Sequence, residues 1–106
     1  MNEDRHTIHG DGVSATVLAH GAELCSLKTS AGLECVWQAG QEWKRHAPLL
    51  FPIVGRLKGD ALRHRGKSYS MTQHGFARDS QFAWEERGQA SCRLVRHSQV
   101  ESDDAR

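Results

Sequence analysis

Two prolines, one tyrosine and three cysteines stand in this chain of 106 residues, and each scarcity excludes something. Cys25, Cys35 and Cys92 are odd in number and widely spaced, so neither a disulfide framework nor a C-x-x-C motif is expected. They read instead as small buried hydrophobes of a reduced, cytoplasmic protein. H-E-x-x-H is missing, and His6 and His9 would fall on opposite faces of a strand, so no metal site and no cofactor are expected. G-x-S-x-G and a phosphate-cradling glycine loop are also missing. The longest apolar stretch, residues 47–54, is interrupted by Pro48 and Pro52 and is too short to cross a bilayer. No apolar targeting segment follows the polar start at Met1. Charge excess is lacking too, because 14 Lys+Arg nearly balance 13 Asp+Glu. Neither nucleic acid nor a membrane is therefore expected as a partner. The basic run Arg56, Lys58, Arg63, His64, Arg65 and Lys67 has no interleaved aromatic residue and reads as a solvated hairpin.

What remains is globular in composition, with 38% hydrophobic and 25% charged residues, and of a length for one domain. Short alternating runs separated by glycine turns predict an all-β sheet or sandwich. Strands are expected over residues 5–9, 13–17, 23–29 and 35–37, with Leu24, Cys25 and Leu27 as core candidates. Residues 41–46 suit one helical turn or a loop. Two hairpins follow: residues 61–64 with 67–71, turning at Arg65-Gly66, and residues 80–86 with 91–97, turning near Gly88. In the second, Phe82 and Trp84 share one face, as do Cys92 and Leu94. Residues 99–106 form a polar tail expected to fray, leaving 1–98 as the folded part.

Residues 48–79 carry the chemistry. An apolar, proline-bounded run ends in Gly55-Arg56, and a second block, Gln73-His74-Gly75-Phe76-Ala77-Arg78-Asp79, gathers an imidazole, a guanidinium and a carboxylate. His74 is the candidate catalytic residue, since imidazole exchanges protons near neutral pH and Gly75 permits close approach. Its bland alternative is a histidine that satisfies a backbone group. Arg56 and Arg78 are candidate substrate-binding residues, because guanidinium offers a planar fork of donors. Their bland alternative is a surface ion pair, for Arg78 with Asp79 or another carboxylate. Trp37, Trp43 and Phe76 offer flat apolar faces on which a sugar stacks, or are core.

These residues resemble a known family. Gly21-Ala22-Glu23-Leu24, Val36-Trp37-Gln38, the run from Ala47 through Leu57 and the block from Gln73 through Asp79 are similar, in order, to the aldose 1-epimerase (galactose mutarotase) superfamily, in particular its bacterial sugar-phosphate-type branch. The resemblance implies the N-terminal portion of a β-supersandwich. It implies interconversion of the α and β anomers of an aldose or aldose phosphate by acid/base ring opening, without metal or organic cofactor. By position, His74 matches the family's first active-site histidine, which holds or protonates the sugar near its ring oxygen. Arg56 matches a substrate-contacting arginine, and Arg78 one that contacts phosphate. The family's glutamate base and second histidine have no counterpart here, and its members are more than twice as long. The expectation is an amino-terminal fragment whose partner is a small sugar or sugar phosphate. The alternatives are a non-catalytic carbohydrate-binding module and a sheet fragment that needs a partner chain, with homo-oligomers forming through exposed sheet edges.

Overall fold

The structure, a computed structural model, describes residues 4–97, so the tail at 99–106 lies outside the described residues. Seven strands and two short 3-10 turns make up the regular structure of the described residues, in agreement with the all-β reading. Strands β1 (Arg5–Gly10), β2 (Val13–Leu18) and β3 (Glu23–Thr29) form an antiparallel sheet in the order β1-β2-β3. Thr16 pairs with Ser26 and Val17 with Leu24, which leaves Cys25 as the extra residue of a bulge. Such a bulge bends its strand and re-aims the side chains beside it.

Strands β4 (Ala61–His64) and β5 (Lys67–Ser70) form the first expected hairpin. Arg65 and Gly66 between them both have positive φ, 53° and 78°, as a two-residue turn matched to strand twist requires. Strands β6 (Ala83–Arg87) and β7 (Cys92–Val95) form the second, with Trp84 opposite Leu94. This hairpin reaches β1 at its turn. The His9 N–H donates to the Gln89 carbonyl at 2.6 Å, and His6 Nε2 lies 2.6 Å from the Gly88 carbonyl oxygen.

Three expectations need correction. Residues 35–37 form no strand, because pairing with β3 stops at Cys35 and the next donor, the Val36 N–H, turns to a side chain. The Val36 N–H donates to the Glu34 carboxylate, and the Cys35 N–H donates to the Leu27 carbonyl. An isolated bridge, Lys28 with Glu34, joins this segment to β3. Second, of the three cysteines only Cys25 is buried; Cys35 is exposed and Cys92 intermediate. Burial pushes the Cys25 thiol up from its ordinary range. Third, Leu24 and Leu27 are half-buried rather than core. Among the described residues the buried apolar ones are Ala19, Cys25, Met71 and Ala77, while Trp37, Trp43, Leu49, Leu50, Phe51, Val54 and Phe76 are exposed. Among the described residues no helix is long and apolar enough to cross a membrane.

The two halves of the 48–79 stretch dock on each other through backbone. Phe51 and Gly75 form a parallel bridge, and the Phe51 carbonyl accepts the Ala77 N–H at 3.0 Å. Gly75 has φ +80°, and a Cβ there would overlap the Phe51 carbonyl oxygen and sit 2.7 Å from the Pro52 nitrogen. No neighbouring side chain can yield, since both obstacles are main chain. Gly55 is a natural control, with φ +92° and open space within 4 Å of the point a Cβ would occupy. Gly75→Ala is expected to lower the unfolding free energy by ~3 kcal/mol or more, through strain and overlap together. Gly55→Ala should cost only the left-handed backbone penalty of ~1–2 kcal/mol. Urea denaturation of the two variants tests this; equal losses would contradict the close approach.

Candidate functional site

Residue 74 is placed by two glycines. Gly75 lets its own backbone pass against Phe51, and Gly55 grips His74 at both ends. The His74 N–H donates to the Gly55 carbonyl at 2.7 Å, and the Gly55 N–H donates back to His74 Nδ1 at 2.9 Å. His74 itself takes φ +65°, a left-handed conformation uncommon outside glycine. The histidine therefore does satisfy a backbone group, and doing so also fixes its tautomer. An N–H can only donate, so Nδ1 is the acceptor and the neutral ring carries its proton on Nε2.

His74 lines a cavity of about 410 Å³ together with Trp43, Pro48, Leu50, Gln73 and Arg78. That size is within the range of small-molecule sites. Arg78 is held at the cavity by a bond from Nη2 to the Gln73 carbonyl, 2.9 Å, while its buried Nε has no partner among the described residues. The carboxylate next to it, Asp79, pairs with Arg45 at 3.3 Å instead. Arg78 is fixed from behind as well. Gly21, with φ +75°, lies so close that a Cβ would come 2.7 Å from the Arg78 carbonyl oxygen. The Gly21 N–H donates to the Ser80 carbonyl at 2.6 Å, and the Phe82 N–H donates to the Ala19 carbonyl at 2.9 Å. The turn between β2 and β3 is thus pinned to residues 78–82.

Of the three residues singled out by sequence, the structure brings together His74 and Arg78. Arg56 lies elsewhere, along a separate depression with Leu57, Lys58, Gly59 and Asp60. Its guanidinium grips Asp60 with two bonds, 2.9 Å from Nε and 3.3 Å from Nη2. The hydrogen bond to Asp60 raises the Arg56 pKa, and the same bond lowers that of Asp60. Of the aromatic candidates, Trp43 lines the cavity. Trp37 instead donates its indole N–H to the Trp43 carbonyl at 2.6 Å, and Phe76 lies under the Arg96 guanidinium, 4.2 Å from the ring centre. Among the described residues no carboxylate lines the cavity, and no cluster of three His, Cys, Asp or Glu could hold a metal ion.

Two carboxylates that sequence reasoning left without a role organise the loop leading into the site. Glu34 accepts the Ser26 hydroxyl and the Leu27 and Val36 N–H groups. These bonds, the Ser26 one first, hold its carboxyl below the ordinary carboxylate range. Glu23 accepts the His46 and Ala47 N–H groups at 2.8 and 2.9 Å. The only local signal for either is an acid beside a strand-like run, which does not name its distant partner. A folded-state pKa below the unfolded one stabilises above the ordinary carboxylate range, and that stabilisation is lost as pH falls through the lowered value. Glu34→Gln should therefore flatten the acid limb of stability: acidification should lower the urea midpoint of the wild type more than that of the variant. Parallel curves would contradict it.

The family model for aldose 1-epimerase matches residues 4–104. Protein LacX of Lactococcus lactis subsp. lactis, in its plasmid and chromosomal forms, is 40% identical over 72 residues, 62% of this chain and 24% of LacX. Among solved structures, a galactose mutarotase related enzyme from Lactobacillus acidophilus is 41% identical, with a TM-score of 0.85 over 92% of this chain and 33% of its own. A galactose mutarotase-like protein from Lactobacillus casei ATCC 334 is 37% identical, with a TM-score of 0.84 over 92% of this chain and 34% of its own. The chain thus spans about a quarter of LacX and a third of these two structures. Its sheets are those of one part of a galactose mutarotase-like fold. The docked blocks around Phe51 and His74, the strand order and the match along residues 4–104 agree, and the chain belongs to the aldose 1-epimerase family.

Proposed function

We propose that this chain provides the sugar-holding part of an anomer-interconverting site, for an aldose or an aldose phosphate. The observation that carries the reading is the meeting of His74 and Arg78 with Trp43 on one cavity. An indole face suits the apolar face of a pyranose, and the polar groups beside it suit its oxygens. His74 presents Nε2–H as a donor to the ring oxygen, where negative charge develops as the C1–O5 bond opens. A proton added at Nδ1 would confront the Gly55 N–H, so this arrangement favours holding the ring oxygen through a hydrogen bond over full proton donation. Arg78, which lines the same cavity, suits an anionic oxygen such as a phosphate ester. Arg56, occupied by Asp60, would reach a sugar only after leaving that pair.

The missing element is a base for the C1 hydroxyl. With no carboxylate among the described residues of the cavity wall, those that line it bind and polarise, and the binding-module reading is the one this favours. Calorimetric titration with D-galactose and D-glucose 6-phosphate should give millimolar or tighter binding. His74→Ala should weaken both by about tenfold, or ~1.4 kcal/mol. Arg78→Lys, which loses the planar fork, should weaken the phosphate ester more than the free sugar. Polarimetry of fresh α-anomer should show exchange at the buffer rate. Absence of binding to either sugar would overturn the reading.

A further inference from the structure

Glu23 is the one buried polar or charged residue among the described residues, with 6% of its surface exposed. A buried carboxylate is costly unless its oxygens are bonded, so its partners indicate what it holds. It stands at the first position of β3, beside the Cys25 bulge. One oxygen, Oε2, accepts both the His46 and Ala47 N–H groups, and the His46 Nδ1 lies 3.7 Å from it. Those two amides sit between Trp43 on one side and Pro48 and Leu50 on the other, three of the six residues around the cavity. The segment has no strand pairing of its own. Its other ties include the Trp43 N–H bond to the Gly40 carbonyl, the Trp37 indole bond to the Trp43 carbonyl and the exposed Arg45–Asp79 pair.

We propose that Glu23 is a positioning residue of this site: without touching a ligand, it fixes the Trp43–Leu50 wall opposite His74 and Arg78. The proposal rests on the cavity being a sugar site. What it adds is that ligand affinity depends on an oxygen acceptor at position 23, independently of overall stability.

Two variants of nearly equal size separate acceptor from bulk. Glu23→Gln keeps a carbonyl oxygen able to accept both N–H groups; Glu23→Met fills the same space and accepts neither. Titration with D-galactose should show Glu23→Gln within threefold of the wild-type affinity and Glu23→Met at least tenfold weaker. Thr7→Val removes the Thr7–Thr16 hydroxyl bond from the same sheet, so it should lower the urea midpoint and leave affinity unchanged. Wild-type affinity in Glu23→Met, or equal loss in both Glu23 variants, would overturn the positioning role and leave the sugar reading standing. Failure of the wild type to bind would remove both. Should Glu23→Met not fold, amide hydrogen exchange of the wild type decides. The His46 and Ala47 amides should exchange at least tenfold slower than a free chain; free-chain rates would overturn the proposal.

Discussion

The close passage of the Phe51 main chain over Gly75 is the constraint on which the site depends. Only a residue without Cβ allows it, and once it is made the carbonyl of Phe51 takes the Ala77 N–H. The chain before the crossing then carries Pro48 and Leu50 to the cavity, and the chain after it carries Arg78 there. Gly55 completes the arrangement by holding both the backbone and the ring of His74. A backbone crossing of this kind positions side chains more firmly than apolar packing does here, since Phe51 and Phe76 themselves remain exposed.

Carboxylates do a second share of the organisation. Glu34 replaces a strand ladder at the start of the long loop, and Glu23 replaces one near its end. Each satisfies main-chain donors that a regular sheet would have paired. The loop between β3 and the Phe51 crossing can therefore be irregular and still hold a defined course beside the sheet. The pinning of Gly21 behind Arg78 joins the first sheet to the same site.

Much of this was legible in the chain. Alternation and glycine turns marked β1, β2, β3 and both later hairpins to within a few residues, because those elements are local and each turn residue is needed for its φ. His74 and Arg78 were visible as a polar pair around a glycine. The strand expected at residues 35–37 failed because its β-like composition says nothing of where Glu34 would place its oxygens. Arg56 followed an apolar run toward the site but met Asp60 four residues later, a partner that spacing alone did not single out. Burial was the least legible property, since it depends on what covers the faces of these strands rather than on their own pattern.

On the reading proposed above, the cavity holds a sugar without supplying every group that anomer exchange needs. His74, Arg78 and Trp43 line the cavity, and among the described residues no carboxylate does. In the proposed site a fixed His74 tautomer offers Nε2–H to a sugar oxygen. Nitrogen-15 NMR of the imidazole during a D-galactose titration tests it most directly. For the neutral ring, an unprotonated Nδ1 and a protonated Nε2 are expected before sugar, with the Nε2 resonance shifting as sugar is added. A proton on Nδ1, or an Nε2 resonance that saturating sugar leaves unmoved, would contradict it.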